Sequence, residues 1–249
     1  MTLSFTLKHS FPKLTENDLL HLEAALSEKF DYPALPQDYK QFLLANNGGY
    51  VSHGDIDIIE SGYRFEDEEE WERMKKVYFE TPLFWVRDNN RPVQPAIVMF
   101  CGFWRETTMK VEQLNKWQKE LGEIIAANEY SKHDFNVLPD KLISIGQCGD
   151  IQAGDLLCIS LAEEDYGSIY YYYNMWYYPA KFHGTYYADK EQAILKKYGL
   201  TDPTQIDKRT ALGKQIEEEL RRVPFVKVAD SFTDFLENLT TVNHGQSKI

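Results

Sequence analysis

No stretch of this 249-residue chain is apolar for long enough to span a bilayer, and its mean hydropathy is -0.49, which excludes a transmembrane helix. Cysteine is scarce. Cys101, Cys148 and Cys158 are odd in number, far apart and without a C-x-x-C pair, so neither a disulfide framework nor a zinc knuckle is expected. They are expected as small buried thiols. Positive charge is also short: 27 Lys and Arg face 39 Asp and Glu, a formal net charge of -12. Such a chain is repelled by phosphate backbones and anionic membrane surfaces, which argues against nucleic-acid and membrane partners. The same field speeds encounter with a basic protein, although solubility is its plainer use. Met1 to Phe11 lacks the apolar h-region of a secretory signal, so the expected location is the cytoplasm.

What is present is enough for a folded core: 43% of the residues are hydrophobic and 27% charged. Thr15, followed three residues later by Asp18, predicts a helix start, with Leu19, Leu22, Leu26 and Phe30 on one face. A second helix is predicted from Pro36, turning Tyr39, Phe42 and Leu43 inward and stopping at Asn46-Asn47-Gly48-Gly49. Asp55 to Ile58 alternates like a half-buried strand, and Glu66 to Phe79 has an acidic, amphipathic helical pattern. Pro82, Pro92 and Pro95 break the chain before an apolar strand, Ala96 to Phe100. A long helix is then predicted on the stripe Val111, Leu114, Trp117, Leu121, Ile124 and Ile125.

Beyond Pro139, strands are predicted at Leu142 to Ile145, Asp155 to Leu161 and Ser168 to Tyr173. Helices are predicted at Lys190 to Tyr198, Arg209 to Arg222 and Ser231 to Leu239. Helices, then strands joined by short turns, then helices again imply an α+β fold with a mainly antiparallel sheet. With no repeat and no low-complexity linker, residues 1–249 are expected as one domain.

Catalytic chemistry finds little support. His21-Leu22-Glu23 is half of a deaminase zinc signature, but no P-C-x-x-C accompanies it. His53 with Asp55 and Asp57 is a weak metal-ligand pattern on a strand. Gly146 to Asp155 is glycine-rich, yet it lacks the ending of a phosphate-binding loop and leads into a strand. No nucleophile motif is present. The chain is therefore expected to be no enzyme and to hold no metal or cofactor.

Acids and aromatics are the conspicuous excess. The acids cluster at Glu66 to Glu72, at Glu163-Glu164-Asp165 and at Glu217-Glu218-Glu219. The first and third fall in helical patterns, as solvated faces do; the second lies between strands, where binding loops sit. Tyr170 to Tyr173, Trp176-Tyr177-Tyr178 and Tyr186-Tyr187 form an aromatic run. Strand alternation turns half of its first four rings inward, and rings left outside beside an acidic loop fit a protein-binding face. The candidate partner-binding residues are Asp55, Asp57, Glu163, Glu164 and Asp165, with Tyr171, Tyr173 and Trp176 as aromatic anchors.

Three blocks, in order, resemble the SUKH superfamily in its Smi/Knr-like branch: Leu35 to Leu43 with Asn47-Gly48-Gly49, Ile145-Gly146 through Gly154 to Leu161 and Tyr166 to Tyr170, and Val228 to Leu239. Residues at about 60–137 and 174–227 look like expansions on that core. The resemblance implies a SUKH-like α+β fold, an antiparallel sheet flanked by helices with helical insertions, and no catalysis. It also implies an immunity protein that neutralises a nuclease or deaminase toxin by occluding its active site, and the acidic charge makes a basic toxin domain the expected partner. The alternative it leaves open is a regulatory or scaffold module of the cell-wall or signalling type. Because the blocks are mostly core residues and turn formers, they specify fold, and no binding residue transfers by matching.

Overall fold

The computed structural model describes residues 7, 10–50, 82–83, 97–103, 123–134, 137–148, 155–172 and 186–241. Helix α1 (Glu16–Phe30) starts in a capping box. Thr15 Oγ1 accepts from the Asp18 N–H at 3.2 Å, and Asp18 Oδ2 accepts from the Thr15 N–H at 2.9 Å. Helix α2 (Gln37–Asn46) follows Pro36 and ends on Asn47 in the left-handed conformation. Asn47 does more than stop the helix. Buried, it donates to the carbonyls of Pro12 and Phe103 and accepts from the Phe103 N–H, tying the helix end to two other segments. Gly48 follows at φ 70°, and a Cβ there would stand 2.5 Å from the Gly102 nitrogen, so only glycine lets these backbones approach.

Six strands form one antiparallel sheet in the order β1-β3-β4-β5-β6-β7. They are β1 (Gly49–Tyr50), β3 (Ile97–Phe100), β4 (Leu142–Cys148), β5 (Asp155–Ser160), β6 (Ile169–Tyr172) and β7 (Phe225–Ala229). Strands β2 (Pro82–Leu83) and β8 (Thr240–Thr241) pair separately. The sheet carries α1, α2, α3 (Ile124–Glu129) and α6 (Phe232–Glu237) over its main core. Helices α4 (Tyr186–Lys197) and α5 (Ala211–Arg222) lie in the chain between β6 and β7. This is the expected α+β arrangement, an antiparallel sheet flanked by helices.

Every residue of β4 and β5 is buried, so both faces of the central strands are covered. Leu157 and Ile159 face the main core, whereas Leu156 and Cys158 join a second cluster with Leu142, Tyr172 and Phe225. A bulge between Ser144 and Gly146 shifts the register of β4, so Ile143, Ile145 and Cys148 all reach the main core despite their odd spacing. Gly146 is glycine because a Cβ there would lie 2.5 Å from the Met99 carbonyl oxygen of β3. The main core is knit by aromatics: Phe232 packs 5.0 Å from both Tyr39 and Phe42, centroid to centroid.

One predicted element is corrected. Ile124 and Ile125 do not close a long helix; they open α3, because Glu123 is extended and caps it by accepting from the Ala126 N–H at 2.8 Å. The Ile124 N–H is held at 2.8 Å by the Gly102 carbonyl, which fixes the break. The earlier part of that stripe, the predicted strand at 55–58 and the predicted helix at 66–79 lie outside the described residues. Among the described residues no helix is long and apolar enough to cross a membrane.

Candidate functional site

A groove of about 920 Å³ opens between the body of the fold and α5. One wall comes from the end of α1 and the residues after it, the turn at Asp140-Lys141, and the loop from Leu161 to Tyr166; the other is α5. Asp31, Asp140, Glu163, Glu164, Glu218 and Glu219 line it, against the cations Lys141 and Arg222. Two acidic runs separated by some fifty residues of sequence thus share one concavity, including Glu218 and Glu219 from a run with the pattern of a solvated helix face.

Most of these carboxylates are already engaged. Asp31 meets Lys141 at 3.4 Å, and Asp140 meets Lys132 at 3.4 Å. Glu219 is bound by Lys197 at 2.9 Å and by the Tyr198 hydroxyl at 2.5 Å; burial acts upward on its pKa, but these donors outweigh it and hold the carboxyl below its ordinary value. Glu218 accepts from the Asp140 N–H at 2.8 Å and from Arg222 at 3.4 Å. Burial, and then the Asp140 charge, nonetheless push it up.

The loop between β5 and β6 is different. Glu163-Glu164-Asp165 forms a single 3-10 turn, and its three acids divide their roles. Asp165 points inward, accepting from the Ser160 hydroxyl and, at 2.5 Å, from the Tyr170 hydroxyl. Burial and this carboxylate push the Tyr170 phenol up, so it stays protonated and donating. The turn is braced further by Tyr166, whose hydroxyl donates to the Ala34 carbonyl at 2.7 Å while 45% of the residue remains exposed. Glu163 and Glu164 are exposed and have no hydrogen-bond or ion-pair partner among the described residues. The rim thus carries two uncompensated charges on a rigid support, beside a pinned aromatic ring.

Of the other sequence-derived candidates, Tyr171 is corrected. It is 2% exposed, faces the main core, and donates to Asp155 Oδ2 at 2.6 Å, so it offers no ring to a partner. Strand alternation had two directions to offer, and the far face proves nearly as closed, with Tyr172 buried against Phe225 at 4.9 Å. Asp55, Asp57, Tyr173 and Trp176 lie outside the described residues, as does His53. His21 is on the exposed side of α1. Among the described residues no group of three or more His, Cys, Asp or Glu is placed to hold a metal ion. The three cysteines are free and buried.

Tyr166, Asp140 and Arg222 also line the groove, although none of them is among the candidates drawn from sequence. Tyr166 was legible as the residue closing the acidic turn. Asp140 and Arg222 are 82 positions apart and carry no local signal of their meeting.

The model of the SMI1/KNR4 family (SUKH-1) matches residues 13–190, which takes in α1, α2, strands β1 to β6 and the acidic turn. The third sequence block, Val228 to Leu239, lies beyond that match. No curated protein and no solved structure matches the chain. With the matched span covering most of its length and the sheet running antiparallel throughout, the chain belongs to the SMI1/KNR4 family (SUKH-1).

Proposed function

We propose that this protein is a non-catalytic immunity protein of the cytoplasm, which binds a basic nuclease or deaminase toxin domain and covers its active site. The observation that carries the reading is the unpaired Glu163-Glu164 rim on an acidic groove. A toxin that acts on nucleic acid must present cations to phosphate, and an acidic groove competes for that surface. Tyr166, half exposed and held by its own hydroxyl, has the character of an interface anchor: a large ring whose ordering cost is already met by the fold. Asp165 serves the same surface indirectly, as the brace of the turn. Asp55, Asp57, Tyr173 and Trp176 remain proposed contacts.

The test is to capture partners of the tagged protein from the cells that make it, identify them by mass spectrometry, and challenge those cells with the captured domain. A basic nuclease or deaminase domain, with protection lost in the double variant Glu163→Lys/Glu164→Lys, is the expected result. Capture of endogenous regulatory proteins alone would replace this reading with that of a scaffold. Undiminished protection by the double variant would remove the rim from the site.

A further inference from the structure

Helices α4 and α5 pack on each other around a cluster of their own, Leu195, Ile206 and Ile216, which shares no member with the two clusters of the sheet. Among the described residues, polar joints between this lobe and the body gather at the last turn of α5. Arg222 donates to the Asp140 carbonyl at 2.8 Å, approaches Glu218 of its own helix at 3.4 Å, and stands 4.0 Å from Asp165. Glu218 in turn accepts from the Asp140 N–H at 2.8 Å. Only Val223 and Pro224 separate this turn from β7, so the joint sits beside the covalent pivot of the lobe.

We propose that Arg222 is a positioning residue, a latch that sets the width of the acidic groove by fastening α5 to the Asp140 turn and to the Asp165 brace. The guanidinium suits this task because its planar fork donates to the Asp140 carbonyl and to Glu218 while its charge faces Asp165. Leverage makes a small joint matter. α5 has 12 residues and is therefore about 18 Å long, so a tilt of roughly 10° at its base moves the far end by about 3 Å. Gln215 and Glu219 on the groove wall travel with it. A partner that must touch both walls then depends on a residue it need not touch. This last consequence rests on the groove being the binding surface; the latch itself does not.

Because the three native cysteines are fully buried, nitroxide labels can be placed at Glu28→Cys on α1 and Lys214→Cys on α5, both exposed and next to groove-lining residues. The distance distribution between them is read on the full chain, without partner. Arg222→Met, which keeps the stem and removes the fork, is expected to broaden the distribution roughly twofold and move it outward. Arg222→Lys is expected to recover part of the narrow distribution, because charge returns without the fork. Asp165→Asn, a milder change, should broaden it in the same direction. Distributions as narrow in Arg222→Met and Asp165→Asn as in the parent overturn the latch and leave the groove reading standing. If the distribution broadens, binding of the captured basic domain should weaken about fivefold. A broadened distribution with unchanged binding removes the groove as the binding surface, though not the latch.

Discussion

The body and the α4–α5 lobe are held together by different physics. In the body, Tyr39, Phe42, Phe100, Phe232 and Phe235 interlock in a core to which four helices and a six-stranded sheet contribute. In the lobe, Leu195, Ile206 and Ile216 are the buried apolar residues among those described, and surface pairs such as Lys208–Glu217 at 2.5 Å and Lys197–Glu219 at 2.9 Å supplement them. Burial is large and non-directional, whereas exposed ion pairs contribute little to stability. The body is thus a fixed platform, and the lobe is an attachment whose position depends on specific polar contacts. The groove lies between the two, so its rigid rim, Glu163-Glu164, belongs to the platform and its adjustable wall to the attachment.

That contrast is most severely tested in the body. Phe232 is fully buried, and Phe232→Ala is expected to lower stability by about 3–5 kcal/mol, with sheet and lobe signals lost in one urea transition. Two separated transitions would show that the lobe stands without the platform. Ile216→Ala is the counterpart. It should cost about 2–4 kcal/mol locally, raising amide exchange across residues 186–222 while β4 and β5 stay protected. Equal deprotection of β4 would erase the distinction.

A smaller effect sharpens the account of the platform's buried charge. Burial pushes the Glu123 carboxyl up to about 7, against the lowering effect of the Ala126 and Ile125 N–H groups. The folded state therefore holds this proton more tightly than the unfolded chain does. Its contribution to stability is full at acid pH and is lost as pH rises from about 4.5 to about 7. Urea midpoints across that range, compared with those of Glu123→Gln, should show the parent losing stability relative to the variant as pH rises. Parallel profiles would place Glu123 outside the titration. The smallest expected change is in the rim: Glu163→Lys/Glu164→Lys should leave the urea midpoint nearly unmoved, since both side chains are exposed and neither has a partner among the described residues.

The parts of this fold written in local chemistry were legible. Thr15 and Asp18 cap a helix through atoms three residues apart, and Asn47-Gly48 ends one through its own backbone angles. The alternation along β6, which turns Tyr171 to one face and Tyr172 to the other, is likewise a property of neighbouring residues. What escaped is set by distant ones. Glu123 leaves the helical pattern because the Gly102 carbonyl binds the next N–H, and Tyr171 is lost to a partner because helices cover the face it points to. The groove shows both sides of this. Its rim was visible as an acidic turn between strands. Its other wall was not, because Glu218 is aimed at that rim only by the Asp140 turn and Arg222, contacts that no periodicity encodes.

The central claim, that the unpaired rim meets a basic partner, is tested most directly by stopped-flow association of the captured domain with the parent and with Glu163→Lys/Glu164→Lys across a range of salt concentrations. The account predicts a parent rate that falls steeply with salt, and a variant about tenfold slower at low salt with a flatter dependence. Equal rates and equal salt slopes would contradict it.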